Sequence, residues 1–385
     1  MRPLRIGLLD GAFYAGDPHP AYDELRASTP VFRDDSCGLW GVASYQAVAF
    51  ASRRPDLFSS AGGSRPLTGP LPHMIDMDDP DHHLRRSLVS KGFTPRRIAA
   101  LEPQVTEIVS GVLDDFEGGD FISQVAALIP LYVIGDLLGI PAADRAQLLA
   151  WSEDMLAGQG DRSEATLQRT FAAITGFREY AGRLVAERRA EPGDDLISVL
   201  AHAEVVGARL RDDEVISETL LVLIGGDETT RHVIGGGVEQ LLRNREHWDA
   251  LRADPTAIPV AVEEMLRWVS PIKNMCRTLT ADTELAGVTI PAGDQALLLY
   301  ESANRDPAQF AHPHVFEPGR NPNNHVAFGL GRHFCMGAYL ARLETRVLLE
   351  QLLVRFPDLE LTDDGPLPRR PNAFISGLEQ LPVRT

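Results

Sequence analysis

The spacing of hydrophobic positions divides the chain into an irregular N-terminal part and a long helical part. From His82 onward, apolar residues recur every three or four positions, which is the period of amphipathic helices. Glycines and prolines fall between the periodic segments, where helices are expected to end. The predicted helices are residues 98–116, 125–138, 145–156, 165–190, 212–243, 257–269 and 335–356.

Strand-like segments are few and short, and they flank the helical part. They cover residues 31–32, 40–42, 277–279, 288–290 and 296–300, with a Pro-Ala-Gly-Asp turn at 291–294. Residues 59–74 are rich in Gly, Pro and Ser and predict a long surface loop, a kind of loop that often carries function. The pattern predicts a mainly α fold with a small β region. We expect one domain over residues 1–385, because no linker or repeat is visible.

Charge and cysteine content narrow the possible functions. The chain has 37 Lys and Arg against 54 Asp and Glu, a formal net charge of −17, which argues against nucleic-acid binding. Its three cysteines are too few and too dispersed for a disulfide framework or a structural zinc site. No segment has the apolar length of a signal peptide or a membrane span, so the sequence predicts a cytoplasmic protein without a membrane anchor.

The segment Phe-Gly-Leu-Gly-Arg-His-Phe-Cys-Met-Gly at 328–337 carries the most specific chemistry. Gly329 allows a tight turn, and the predicted helix end at Cys335 favours a thiolate through its exposed amides and positive dipole. Gly337 leaves room for a flat macrocycle to lie against the backbone. The alternative is a buried, inert cysteine on an ordinary turn.

This segment matches the haem-binding signature of the cytochrome P450 family at every fixed position. The resemblance implies haem b with Cys335 as the axial ligand to iron, and contacts to haem from Phe328, Gly329 and Gly337. It also implies the family's fold, in which haem lies between a long kinked helix and the helix that follows the cysteine loop. A thiolate ligand pushes electron density toward iron and favours O–O cleavage, so a monooxygenase is expected.

The long helix 212–243 contains Gly225 and Gly226, although glycine destabilises a helix interior by about 1 kcal/mol. Close helix packing is one explanation, since glycines also occupy 235–237. The other comes from the resemblance: the two glycines match the family's kink that gives dioxygen room. Glu228 and Thr229 would then be the catalytic proton-relay residues, because a carboxylate and a hydroxyl can both pass protons.

Two further sets of charged residues match elements of the family. His82 and Arg86, four apart on one helix face, resemble a clamp for the haem propionates, and Arg277 and His333 resemble further clamps. Any one of these is more often a solvated surface charge. The structural triad that braces the family's fold is expected at Glu264, Arg267 and Arg320, where the alternative is an ordinary surface ion pair.

Electrons must come from separate proteins, because no flavin or nicotinamide domain is present. In the family, the thiolate side of the molecule accepts electrons from an acidic ferredoxin, itself served by a ferredoxin reductase. The basic residues on this side are Lys91, Arg96, Arg97 and Arg332. They predict a docking patch, with a solvated charged face as the alternative.

A closer resemblance links four segments (74–97, 220–232, 263–284 and 374–383) to the actinobacterial P450s that oxidise the cholesterol side chain. It implies hydroxylation of the terminal methyl, C26 or C27, by holding that methyl over iron. The candidate pocket residues are Met74, Ile75, Val222, Gly226, Ile272, Met275, Phe374 and Ile375. Two alternatives stay open: hydroxylation of a fatty acid or a macrocyclic natural product, and a haem-based ligand-binding or sensor protein without turnover.

Overall fold

Helices dominate the computed structural model, which describes residues 6–160, 163–205 and 208–385. In these ranges the α-helices are α1 Gly11–Ala15, α2 His19–Ser28, α3 Tyr45–Ser52, α4 Asp81–Val89, α5 Pro95–Ala100, α6 Glu102–Asp114, α7 Leu128–Leu138, α8 Arg145–Gly160, α9 Glu164–Ala190, α10 Leu196–His202, α11 Asp212–Arg243, α12 Arg245–Ala253, α13 Ile258–Val269, α14 Tyr300–Ala303 and α15 Ala338–Arg355. A π-helical turn, Ile122–Ala126, leads into α7. No helix in the described residues is long and apolar enough to cross a membrane.

The strands form one main sheet and three small ones. They are β1 Val31–Asp34, β2 Leu39–Val42, β3 Phe58–Ser59, β4 Gly119–Asp120, β5 Glu204–Val205, β6 Ala208–Arg209, β7 Asn274–Leu279, β8 Thr283–Leu285, β9 Val288–Ile290, β10 Gln295–Leu299, β11 Glu360–Leu361 and β12 Pro382–Arg384. The main sheet has the order β1-β2-β10-β7-β3, antiparallel except where β10 runs parallel to β2. Helix α3 packs on this sheet and joins it to the cysteine loop.

Helix α11 passes through the main hydrophobic core and contacts α7, α8, α9, α13 and α15. Its side chains are buried on several faces, which explains why its sequence is less amphipathic than that of a surface helix. Gly235, Gly236 and Gly237 lie where neighbouring helices approach closely: an added Cβ at Gly237 would fall 2.1 Å from the Met265 side chain. Close helix packing therefore explains this second glycine cluster.

The structure corrects two of the predicted helices. The helix predicted over residues 98–116 is two helices, α5 and α6, which meet at Leu101. Pro103 lacks a backbone N–H and is tolerated only in the first turn, so a new helix begins there. The final helix begins at Ala338, three residues after the predicted start at Cys335. The short helices α10 and α12 were not predicted at all.

Candidate functional site

Two glycines shape the loop that presents Cys335. Gly329 and Gly331 both adopt left-handed backbone conformations, with φ of 67° and 72°, that side chains disfavour. A Cβ at Gly331 would lie 2.3 Å from the carbonyl oxygen of Ser52 on α3, so the loop packs directly on that helix. The amide of Cys335 donates to the carbonyl of Phe328 at 2.8 Å, which folds the loop back on itself.

Cys335 is exposed to solvent, although many protein atoms lie around its thiol. Loss of bulk water raises the pKa of its thiol, whereas the amides of Gly337 and Ala338 and the positive charge of Arg86 lower it. A Cβ at Gly337 would meet only the Cys335 sulfur, at 4.0 Å, so the space beside the sulfur is open. A flat ligand that binds through this sulfur therefore fits.

An ion-pair network that was not predicted from sequence supports the cysteine loop. Arg342 on α15 donates to Glu263 on α13 at 2.5 and 2.8 Å, and His325 lies 3.1 Å from the same carboxylate. The hydrogen bonds from Arg342 and His325 hold the pKa of Glu263 at about 2, despite partial burial. The Arg342 guanidinium lies 4.7 Å from the centre of the Phe328 ring, so it also packs on the loop. Glu263 directly precedes Glu264 in sequence, so the predicted triad could have drawn attention to Glu263.

The four residues predicted as propionate clamps lie together beside this loop. The rings of His82 and His333 are 4.1 Å apart between centroids, and His333 Nε2 lies 3.1 Å from the Ser60 hydroxyl. Burial and the nearby cations lower the pKa of His82 to about 4 and that of His333 further, so both rings are neutral. His82 Nε2 is buried and has no hydrogen-bond partner among the described residues.

Arg86 and Arg277 lack acidic partners in the part of the chain that the structure describes. Their guanidinium groups donate to backbone carbonyls, Arg86 to Phe334 at 2.5 Å and Arg277 to Cys276 at 2.7 Å. Arg277 is only 5% exposed, and a buried cation ordinarily has an anionic partner. Two such cations and an unpartnered imidazole nitrogen next to Cys335 fit a ligand with two carboxylates, such as haem b.

Helix α11 presents small residues where the family resemblance expects dioxygen. Gly225 is exposed in the middle of an otherwise buried helix, and a Cβ there would meet nothing within 4 Å. At Gly226 a Cβ would lie 2.8 Å from Ile134, so this glycine is required by packing against α7. Thr229 donates its hydroxyl to the carbonyl of Gly225 at 2.6 Å, a bond that bends helices. Helix α11 is continuous through this position.

Glu228 and Thr229 are adjacent in sequence but have different surroundings. The Glu228 carboxylate is fully buried and accepts a hydrogen bond from Arg370 at 2.9 Å. Arg231 and His232, on the following turn, lie 3.7 and 3.8 Å from it. Arg370 comes from the C-terminal segment and was not anticipated as a partner. Glu228 is thus held in a buried ion pair.

The three predicted triad residues are brought together in the interior. Arg267 donates to both oxygens of Glu264 at 2.7 Å, and Arg320 donates to Glu264 Oε2 at 3.1 Å. Glu264 and Arg267 are fully buried, and the remaining donors of both arginines bind backbone carbonyls of the segment that precedes the cysteine loop. This arrangement excludes the surface ion pair considered as the alternative.

The candidate pocket residues come from four neighbouring segments. A bridge joins Ile272 to Ile375, and the amide of Lys273 donates to the carbonyl of Phe374, so the C-terminal turn lies beside the start of β7. Met275 follows on β7. On the other side of the pocket, the backbone amide of Met74, next to Ile75, donates a hydrogen bond to Glu218 on α11. Glu218 lies one helical turn before Val222. Met74 and Val222 themselves belong to the main hydrophobic core.

The predicted basic patch is only partly free. Lys91 and Arg96 are exposed. Arg97 is half-buried and donates to the Asp194 carbonyl at 2.6 Å, and Arg332 forms an ion pair with Asp79.

Several known proteins are similar to this chain over nearly its whole length. The family model for cytochrome P450 matches residues 163–382. A steroid C26-monooxygenase from Mycolicibacterium smegmatis is 50% identical over 98% of this chain and 95% of the relative, and one from Mycobacterium tuberculosis is 50% identical over 98% and 96%. A cytochrome P450 from Mycobacterium marinum, solved with pseudoionone, superposes with a TM-score of 0.91 at 33% identity, covering 97% of each chain.

Another solved relative, a Bacillus megaterium P450 in complex with testosterone, has a TM-score of 0.88 at 33% identity and covers 96% of this chain and 97% of its own. These findings confirm the predicted fold class, the haem b cofactor and the assignment as a monooxygenase. The enzyme therefore uses dioxygen, a hydrophobic substrate and redox partners. The family model, the relatives, the fold and the cysteine loop all agree: the chain belongs to the cytochrome P450 family.

Proposed function

We propose that this enzyme hydroxylates the terminal methyl, C26 or C27, of a cholesterol-like sterol side chain. The observation that carries the proposal is the 50% identity, over nearly the whole chain, to two steroid C26-monooxygenases. The apolar candidate wall residues beside α11 and β7 support it, since a sterol pocket must be largely hydrophobic.

Haem, when bound, supplies the chemistry that activates dioxygen and inserts one oxygen atom into a C–H bond. In the proposed site, Cys335 would bind the haem iron, and Phe328, Gly329 and Gly337 would contact the ring. The cluster of His82, Arg86, Arg277 and His333 would hold the propionates. Gly225 would leave room for dioxygen.

Thr229 and Glu228 are proposed to deliver protons. The Thr229 hydroxyl lies one helical turn from Gly225 and keeps its oxygen lone pairs free to accept a proton donor while it donates to the Gly225 carbonyl. Glu228 is tied to Arg370 at 2.9 Å, so it must break or lengthen this ion pair to exchange protons with the cavity. Arg370 would then keep Glu228 in the ion pair except when Glu228 exchanges a proton.

Selectivity for a terminal methyl requires positioning, because the internal C–H bonds of the side chain are weaker. The proposed walls are Met74, Ile75, Val222, Gly226, Ile272, Met275, Phe374 and Ile375. They come from four separate segments, so they can enclose the end of a flexible chain from several sides. Restricting the chain to one reactive pose is catalysis by orientation.

We also propose that the electron donor is a ferredoxin served by a ferredoxin reductase, and that the enzyme acts in the cytoplasm. Exposed Lys91 and Arg96, close in sequence to the propionate cluster on α4, are positive groups on a protein with a net charge of −17. Such a patch would steer an acidic ferredoxin. Arg97 and Arg332 contribute less, because each already has a partner.

A second candidate substrate class is methyl-branched lipids. A methyl-branched lipid omega-hydroxylase from Mycobacterium bovis is 40% identical over 90% of this chain and 84% of the relative. A sterol side chain and a branched fatty acid end in the same isopropyl-like group, so the same walls could position either. The lower identity makes this the weaker candidate.

An optical titration separates the two candidates. The purified ferric enzyme is titrated with cholest-4-en-3-one, and separately with a methyl-branched long-chain fatty acid. The proposal predicts a saturable low-to-high-spin shift of the Soret band with the sterol and a weaker response to the fatty acid. A shift with the fatty acid alone would reject the sterol in favour of the lipid.

A further inference from the structure

Glu218 on α11 is a buried acid for which the reaction described above has no use. Its side chain is 0% exposed, and it lies two turns before Gly225 on the same face of the helix, about 10 Å along the axis. A carboxylate in such a place costs free energy unless it is paired and hydrogen-bonded. Its partners therefore indicate what it does.

The Glu218 carboxylate joins three separate segments through one oxygen. Oε1 accepts the backbone amide of Met74 at 2.8 Å and the guanidinium of Arg85, from α4, at 3.3 Å. Oε2 has no partner among the described residues. Arg85 binds Glu214, one turn earlier on α11, more closely, at 2.5 Å. The shorter contact of Glu218 is thus with the loop amide, and Glu214 is the main partner of the arginine.

The loop that ends at Met74 is otherwise held by bonds within itself and by a bond to β7, in which the Cys276 amide donates to the Ser64 carbonyl at 2.9 Å. Asp76 accepts the amides of Ser64 and Leu71 at 2.8 and 2.9 Å, which closes the loop into a compact unit. These bonds do not tie the unit to α11. The bond from Met74 to Glu218 does, and it holds the Met74 backbone at hydrogen-bond distance from the helix.

We propose that Glu218 is a positioning residue that determines substrate specificity: it holds the Met74–Ile75 wall of the pocket in register with the Val222 wall. Val222 follows Glu218 by one helical turn, so a single side chain links the two candidate walls. The inference rests on the proposed function, because it assumes that these walls contact the substrate. The length of the side chain, which sets its reach to the Met74 amide, matters more than its charge.

Two substitutions separate reach from charge. Glu218→Asp keeps the carboxylate but shortens the side chain by one methylene, so that it cannot reach the Met74 amide. Glu218→Gln keeps the reach and an acceptor oxygen but removes the charge. Glu214→Asp is the matched control, because it shortens the neighbouring partner of the same arginine and leaves the loop amide bonded.

The measurement is the dissociation constant of cholest-4-en-3-one from the Soret spin shift of the haem-loaded enzymes, with imidazole as a probe of the haem site alone. We expect Glu218→Asp to weaken sterol binding about tenfold and to raise the share of products hydroxylated at internal carbons. Imidazole binding should be unchanged in every variant. Glu218→Gln and Glu214→Asp should stay within about threefold of the wild type.

The inference is overturned if Glu218→Gln weakens sterol binding as much as Glu218→Asp does, or if Glu214→Asp has an equal effect. The first result would assign the effect to charge, and the second to general stability. A wild type that gives no shift with the sterol refutes the proposed function instead. The same series is then scored with a methyl-branched fatty acid, and a wild type that responds to neither ligand overturns both proposals.

Discussion

Burial of Glu218 should make the stability of the enzyme depend on pH in a way that Glu218→Gln abolishes. Loss of solvation raises the pKa of this carboxyl from 4.5 to about 7, and Arg85 and the Met74 amide offset only part of the rise. A group with a raised pKa binds its proton more tightly in the folded state. Its stabilising contribution is complete below pH 4.5 and is lost as the pH rises through 7.

The size of this effect follows from the two pKa values. A rise from 4.5 to about 7 corresponds to about 3 kcal/mol of unfolding free energy. The side chain is fully buried, so screening by solvent does not reduce it. We therefore expect the wild type to lose about 3 kcal/mol relative to Glu218→Gln between pH 4.5 and pH 8, and most of it below pH 7.

Urea unfolding of both proteins, followed by far-UV circular dichroism at half-unit pH steps, measures this difference. Taking the difference between the two proteins cancels the titration of all other groups. A difference that stays constant with pH would show that burial does not raise the pKa. A wild type that gains stability over Glu218→Gln as the pH rises would show that Arg85 outweighs desolvation.

Three other substitutions test separate parts of the site. Glu264→Gln should destabilise the protein by about 3–5 kcal/mol in urea unfolding, because Arg267 is left as a buried unpaired charge; a loss below 1 kcal/mol would argue against the triad as a brace. Arg277→Leu should weaken haem retention about tenfold, measured by transfer to apomyoglobin, and unchanged retention would remove this residue from the propionate cluster. Thr229→Val should lower product formation about 100-fold while the sterol spin shift is preserved; full activity would exclude the hydroxyl as a relay.

The sequence predicts most of the fold and the chemistry next to haem, because these depend on local patterns. Helical periodicity locates α11 to the residue at both ends, and the fixed spacing of the cysteine loop predicts Cys335 as the haem ligand without any structure. The predicted start of α15 at Cys335 is wrong, because the loop continues to Gly337. Good helix-forming residues follow Gly337 directly. Local pattern alone does not separate such a loop from a first helical turn.

Partners that are distant in sequence could not be predicted. Arg370 reaches Glu228 across 142 positions, and Met74 reaches Glu218 across 144. Nothing in the local pattern around either acid indicates which of the chain's cations or amides will face it. Glu263 is the intermediate case. The sequence draws attention to its segment, because the neighbouring Glu264 belongs to the predicted triad. Nothing in the sequence indicates that Arg342 is its partner.

The most direct test of the proposed reaction is the product itself. The haem-loaded enzyme is supplied with a ferredoxin, a ferredoxin reductase, NADPH, cholest-4-en-3-one and ¹⁸O₂, and the products are identified by mass spectrometry against 26- and 27-hydroxy standards. Hydroxylation at the terminal methyl with one ¹⁸O atom is the predicted result. Product hydroxylated mainly at an internal or ring carbon, or no product from an enzyme that turns over a branched fatty acid, would contradict the assignment.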